Sequence, residues 1–485
     1  MTGLTLISQG RFVKSYLRGK VYATSELISV VVFISMYAGL ADYDWYWQCE
    51  LGEAIIKDFN FNEVYNLHWG TKGVSEYLDH EWLTNILFYL CSATGMYGIS
   101  IAKLLICAAY AVSTCYYLEA EGKQYNEASM IGILAYVFMM AGVFIKVKAY
   151  IISVVFLFVE LVLLKKYKAS SSRKYFLYML VLLIVWNNMH SGSLPLFFIV
   201  AGVYWLTDLK RSKEVLFMLP IYIVGTFINP YGLKLVWFDL THNFDPVMKE
   251  IVMDWRCIDA KETLGVLCAL IVLGVVFFLI GTDLKTHLFD VCMIGVVLLM
   301  SFQSARHLIY LAPFFYSVVL DNKYTIKLGD TFWFLVRGFC VGICALSLLQ
   351  AFGPSNYTTY YGADYIEPEL LELLQETNSD TCDGLFATDI GLWQYDLKPF
   401  TSGAFPCTRE RALASYELGY SASEARIEEL IDEWGLTKFV AIKHNPAVPF
   451  GEGNGVLYDY LSTHDEYKLL YDSDFYYYFV RKDLL

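Results

Sequence analysis

Hydrophobic positions in this chain come in long unbroken runs rather than in the two-residue or 3.6-residue alternations of half-buried strands and helices. The runs cover Ser25–Leu40, Leu83–Tyr116, Ala128–Ile145, Tyr150–Leu164, Tyr175–Asn187, Ser193–Leu206, Val215–Asn229, Leu264–Ile280, Leu288–Phe302, Ile309–Leu320 and Thr331–Gln350. Their lengths run from 12 to 34 residues, several of them short of the ~20 residues that cross a bilayer. The pattern therefore predicts an α-helical polytopic membrane protein with about eleven transmembrane helices. The second run is too long for one crossing, and Gly95 and Gly98 divide it into an interfacial helix and the span proper.

After Gly353 the pattern changes. Glu367–Glu376 and Ser423–Glu433 have helical periodicity, with Ser423 a candidate N-cap, and Gly384–Ala387, Lys438–Ile442 and Phe475–Val480 are short runs of strand type. The expected organisation is a transmembrane domain over 1–352, whose first outer loop is 42–82, and a small α/β domain over 353–485.

Composition sharpens this picture. The 485 residues are 56% hydrophobic and 18% charged, where soluble domains carry about 25% charged residues. A net charge of −13 argues against nucleic acid, which calls for a basic footprint. Basic residues fix an orientation. Lys165, Lys166, Lys168, Arg173 and Lys174 fill one connection, and Lys210, Arg211 and Lys213 another. With the basic N-terminus they fall on one side, the cytoplasm, so the long loops and the C-terminal domain face outward. No small-residue cleavage site closes the first run, which reads as an uncleaved anchor of a multi-pass cell-membrane protein. The cysteines show no metal-type spacing, and Cys382 and Cys407, the only pair in the tail, are a candidate disulfide.

Candidate chemistry gathers where spans meet loops. Asp42-Tyr43-Asp44-Trp45-Tyr46-Trp47 follows the first span. A carboxylate beside Trp45 and Trp47 suits a general base, which makes Asp44 the first catalytic candidate. Asp42 with Asp44 is also an Asp-x-Asp pair able to hold Mg or Mn by oxygen ligation, although no metal-binding set is assigned. Asp79-His80-Glu81 closes the same loop, with Glu81 as second catalytic candidate and Asp79 as a candidate N-cap or, like His80, a substrate contact. Lys146, Lys148, Arg306 and His307 are cationic groups at span ends, suited to a lipid phosphate or to snorkelling toward headgroups. Asn187 and His190 in the turn after Trp186, and Trp255 and Arg256 in the loop 230–262, are further substrate-binding candidates.

Taken together, Asp44-Trp45-Tyr46-Trp47, His80-Glu81-Trp82-Leu83, Trp186-Asn187-Asn188-Met189-His190, Asn229-Pro230-Tyr231-Gly232, Asp254-Trp255 and Ala305-Arg306-His307 resemble the multi-spanning bacterial relatives of the GT-C superfamily. These are membrane glycosyltransferases that use polyprenyl-phosphate sugars. The chain departs from such relatives at Lys148-Ala149-Tyr150, where they often show Arg-Pro-Gln. The resemblance implies interfacial helices in the first outer loop, Asp44 as catalytic acid of that loop, a cation-lined lipid-phosphate groove and an outer C-terminal domain. The implied activity is transfer of a sugar from a polyprenyl-phosphate donor to an extracytoplasmic glycan, lipid or protein among membrane lipids. An oligosaccharide ligase or polymerase shares that chemistry. A transporter or flippase of lipid-linked sugars is the alternative from another class, with charges expected at mid-membrane rather than at span ends.

Overall fold

The computed structural model describes residues 44–59, 61, 78–121, 127–140, 147–208, 213–242, 263–321, single positions within 329–349, and 366–378, 382–388, 392, 397, 400–401, 409–442, 455–474 and 476–485. The chain divides into two compact units. One comprises Met1–Asp42, His80–Asp239 and Asp254–Tyr361, and the other Tyr43–Asp79, Leu240–Met253 and Gly362–Leu485. The first described helix, α1 (Asp44–Asp58), therefore belongs with the C-terminal unit.

The first unit is helical. Its members are α2 (Trp82–Ser92), α3 (Gly98–Glu121), α4 (Glu127–Met139), α5 (Ala149–Ser170), α6 (Lys174–Met189), α7 (Leu194–Thr207), α8 (Lys213–Gly225), α9 (Leu233–His242), α10 (Thr263–Ile280), α11 (Leu288–Gln303) and α12 (Ala312–Leu320). The break expected inside the second apolar run is present: α2 ends at Ser92, Gly95 takes a φ of +66°, and α3 starts at Gly98. Among the described residues α3 alone is both long and apolar enough to cross a bilayer by itself, and several of the others are shorter apolar helices. The runs Ser25–Leu40 and most of Thr331–Gln350 lie outside the described residues.

Apolar side chains point outward as well as inward. On α10, Val266, Leu270, Leu273, Phe277 and Ile280 are exposed at three- and four-residue spacing, while Cys268, Ile271 and Val275 are buried behind them. Leu177, Val181 and Val185 make a similar outer stripe on α6. Leaving five such side chains in water forgoes roughly 5–10 kcal/mol, comparable to the whole stability of a domain. The inner faces are joined by buried polar ties. The Tyr110 and Tyr316 hydroxyls meet at 2.9 Å, and Tyr136 donates to the Leu308 carbonyl at 2.9 Å.

At one end of the bundle a cavity of about 380 Å³ is lined by Glu121, Lys165, Lys168, Asp208, His287 and Asp321, among others. Lys165 pairs with Glu121, and Lys168 lies 3.3 Å from Asp208. His287 is clamped between two carboxylates, with Nδ1 3.0 Å from Asp290 Oδ2 and Nε2 2.7 Å from Asp321 Oδ2. This contact joins the start of α11 to the end of α12 through one imidazole shared by two acids.

The C-terminal unit carries α13 (Pro368–Thr377), α14 (Arg409–Tyr416), α15 (Glu424–Trp434) and α16 (Gly455–Thr463) around a sheet of β1 (Leu385–Ala387), β2 (Phe400–Thr401), β3 (Lys438–Ile442), β4 (Tyr467–Asp472) and β5 (Tyr476–Arg481). The strand order is β2-β1-β3-β5-β4, with β1 parallel to β2 and β3, and β5 antiparallel to β3 and β4. Both faces are covered. Phe386, Phe439, Tyr477 and Phe479 pack with Ile427, Leu430, Leu457 and Leu461, while Leu385, Val440, Tyr478 and Val480 pack with Leu370 and Leu374. Burial on both sides explains why the strands read as continuous apolar runs rather than as alternation.

Ser423 stands at the N-cap of α15, as expected, but makes no side-chain cap hydrogen bond. Cys382 is buried, and Cys407, its candidate disulfide partner, lies outside the described residues. Gly384 has φ +73°, and a Cβ there would collide with the Thr437 hydroxyl. Gly384→Ala is expected to destabilise this unit by roughly 1–3 kcal/mol, seen as a lower thermal midpoint that Gly384→Ser shares.

Candidate functional site

The site in the first unit is built from two polar connections locked face to face. In the turn before α2, His80 and Glu81 precede Trp82; in the turn after α6, His190 to Ser193 precede α7. The Ser191 amide donates to the His80 carbonyl at 3.0 Å, and Thr84 Oγ1 donates to the Met189 carbonyl at 2.7 Å. Asn188 extends the tie, accepting from Trp82 Nε1 at 2.9 Å and donating from Nδ2 to the Ile184 and Ile228 carbonyls. The Trp-Asn-Asn sequence thus fixes one loop against the other through side chains that water would otherwise satisfy.

Glu81 is the hub. Its Oε1 lies 3.4 Å from His80 Nε2 and 3.5 Å from His190 Nε2, and the two rings stand 6.1 Å apart. Glu81, not Asp79, occupies the N-cap of α2, and it makes no cap hydrogen bond because its carboxylate is turned to the imidazoles. Asp79 is buried in the other unit. Burial alone pushes the Glu81 carboxyl up, but the His80 hydrogen bond and the positive potential of His80, His190 and Lys148 outweigh it and bring it down to about 2. His190 goes the other way for an imidazole. Burial, opposed by the Glu81 charge and helped by His80, Arg306 and His307, lowers it to about 3. An ionised Glu81 therefore faces a neutral His190, and their contact is not an ion pair at neutral pH.

His190 is oriented from behind. Its Nδ1 lies 2.8 Å from Ser153 Oγ and 2.6 Å from Ser193 Oγ, and Trp186 Nε1 donates to Ser153 at 3.0 Å. Ser193 donates to Ser153 at 2.6 Å, which closes the network across α5, α6 and α7. His307 Nδ1 donates to the Met300 carbonyl at 3.1 Å. Lys148, at the N-cap of α5, and Arg306, in the 3₁₀ helix Ala305–Leu311, are near enough to act electrostatically on Glu81 and on His190 respectively.

The structure thus brings together His80, Glu81, Lys148, His190, Arg306 and His307 from four separate connections. Asn187 is fully buried, and its Nδ2 donates to the Thr226 carbonyl at 2.8 Å, which ties α6 to the end of α8. Asp44 opens α1 in the other unit, where its Oδ1 accepts from Trp47 Nε1 at 3.1 Å. Asp42, Lys146, Trp255 and Arg256 lie outside the described residues.

One acid escaped the sequence reading. Asp239 on α9 is only 6% exposed. Burial, countered by His80 and a Ser191 hydrogen bond and reinforced by the Glu81 charge, holds its carboxyl up at about 6. A signal was available: Asp239 follows Leu235 by four residues, which places an acid on the buried stripe of its helix. Ser153 and Ser193 carry no such signal, since a serine in an apolar helix is ordinary.

His80, Glu81 and His190 are also a set that could hold a metal ion, their ligand atoms all lying within 4.8 Å of one another.

No protein-family model and no curated protein matches this sequence. Among solved structures the chain is similar to the archaeal oligosaccharyltransferase AglB from Archaeoglobus fulgidus, in complex with an inhibitory peptide and a dolichol-phosphate. The identity is 8% and the TM-score 0.49, over 88% of this chain and 70% of that one. A likeness of that grade carries neither fold nor chemistry across.

Proposed function

We propose that this protein is a multi-pass membrane glycosyltransferase of GT-C type that moves a sugar from a polyprenyl-phosphate donor to an extracytoplasmic acceptor. The observation that carries the reading is the convergence, at one end of a helix bundle with an apolar outer surface, of acids and of cations. The apolar stripes on α6 and α10 suit hydrocarbon and not water. Polar and ionisable groups gathered at the end of such a bundle suit work at the lipid–water boundary.

In the proposed reaction the acceptor oxygen attacks the anomeric carbon while Asp44 takes its proton. The bond from that carbon to the phosphate oxygen breaks, and the electron pair leaves on the lipid phosphate. Phosphate departs readily, so alignment and charge stabilisation supply most of the rate. Arg306 and Lys148, with His307, are assigned to the departing phosphate, and Glu81 with His80 to positioning the acceptor. The C-terminal unit is assigned to the outer face, the N-terminus to the cytoplasm, and the chain to about eleven spans.

The test uses purified protein in detergent with a synthetic polyprenyl-phosphate sugar and follows release of the lipid phosphate. Arg306→Ala is expected to lower kcat/KM by about 10- to 150-fold, the worth of one hydrogen bond to a charged group. Arg306→Lys should recover part of it. Unchanged kcat/KM in Arg306→Ala removes Arg306 from the donor site, and a wild-type protein that moves intact lipid-linked sugar across vesicles without cleaving it establishes a flippase instead.

A further inference from the structure

We infer that His80, Glu81 and His190 form a binding site for one zinc-type divalent ion, held by two imidazole nitrogens and one carboxylate oxygen with a position left open. The inference names a ligand for the site assigned above to sugar transfer. It rests on that site's geometry and holds whether or not the donor is a lipid-linked sugar.

Two of the three ligand separations bear on the coordination, and the third lies within 4.8 Å. Ligands at about 2.0–2.2 Å from a tetrahedral centre stand about 3.3–3.6 Å from one another, whereas an octahedral centre of that size brings neighbours to roughly 3 Å. The two Nε2-to-Oε1 separations, 3.4 and 3.5 Å, match the tetrahedral edge. Two nitrogen donors in a set of three select zinc, or cobalt in its place, over magnesium, which takes oxygen ligands and keeps its waters.

The surroundings are those of a ligating histidine. A metal-bound imidazole uses its second nitrogen to bond a neighbouring group that fixes the ring. His190 does this at Nδ1, toward Ser153 and Ser193, with Trp186 donating into the same serines. The opposing loop is held at the peptide level by the Ser191 amide on the His80 carbonyl. Gly192 leaves the approach clear: a Cβ there would rest 3.6 Å from His190 Nε2 and 3.7 Å from the His80 ring. Asp239 stands beside this set without belonging to it.

The experiment is metal loading of full-length protein in detergent, without donor or acceptor. Chelator-treated protein is titrated with Zn²⁺, and with Co²⁺ to read the d–d absorption of a four-coordinate site. Wild type is expected to bind one equivalent and to show intense tetrahedral cobalt bands. Glu81→Gln and His190→Ala should each weaken binding by at least about 100-fold, beyond the 10- to 100-fold effect of outer-shell losses. His464→Ala, in the C-terminal unit, should bind as wild type does. Glu81→Gln keeps the size of the side chain and covers the case in which His190→Ala misfolds, judged by its elution and helical signal. Wild type that takes up no stoichiometric Zn²⁺, weak octahedral cobalt bands, or full binding by folded Glu81→Gln each overturns the inference. A bound zinc with no turnover of lipid-linked sugar leaves the metal site standing and removes the transferase reading, while turnover of lipid-linked sugar by protein that takes up no zinc keeps the transferase reading and removes the metal site.

Discussion

Asp44→Asn is expected to yield folded protein that transfers sugar about 10²- to 10⁴-fold more slowly than wild type. The substitution keeps the side chain's size and an oxygen in the position that accepts from Trp47 Nε1 at 3.1 Å, so the first turn of α1 retains its tie. It removes a negative charge from the helix start, worth about 0.3–1 kcal/mol. It also removes the proton acceptor, worth roughly 3–5.5 kcal/mol of barrier. The two magnitudes separate in practice. Thermal unfolding should move little while the rate falls by orders of magnitude, with donor KM nearly unchanged because the role proposed for Asp44 is on the acceptor. If folded Asp44→Asn turns over at the wild-type rate, the base is another group, and Asp239, a buried acid in the first unit, is the next to replace.

The second large effect lies away from the catalytic candidates. His287→Ala is expected to destabilise the first unit by about 3–5 kcal/mol, since it removes the imidazole from a buried pair and leaves an acid behind. Most of that loss belongs to Asp290, which is buried and held only by the Ser317 hydroxyl at 2.8 Å once the imidazole is gone. Asp321 has a side chain 45% exposed, so its half contributes at most about 1 kcal/mol. Adding Asp290→Asn to His287→Ala should restore part of the lost stability by removing the stranded charge. Thermal unfolding in detergent reads both. An unchanged midpoint in His287→Ala, or a double variant less stable than the single one, rules out the two-acid clamp.

The elements themselves were largely legible. Long apolar runs with glycine breaks put α2 and α3 where they are, because a φ of +66° at Gly95 is available to glycine and not to its neighbours. The strands at Leu385–Ala387, Lys438–Ile442 and Tyr476–Arg481 follow from apolar stretches too short for helices and bounded by turn residues. Helix-start chemistry was less legible. Asp79 and Ser423 have the right residue type for caps, yet Glu81 holds the N-cap of α2 in place of Asp79, and Ser423 makes no side-chain cap bond at α15. A carboxylate so near two imidazoles gains more from them than from backbone amides, and Glu81 sits at the N-cap of α2 facing outward from the helix.

The sequence by itself determined which residues would be exceptional: ionisable groups at the ends of apolar runs are costly unless they face water or one another, so their presence alone marks His80, Glu81, Lys148, His190 and Arg306. Only the tertiary structure decided that these groups meet, that Asp239 joins them, and that two serines and a tryptophan aim His190. The reason is distance along the chain. His80 and Glu81 lie more than a hundred residues from His190 and more than two hundred from Arg306, and no local periodicity encodes which helix ends pack side by side. That choice is made by summed burial across the bundle, to which each polar group contributes only after its neighbours are in place.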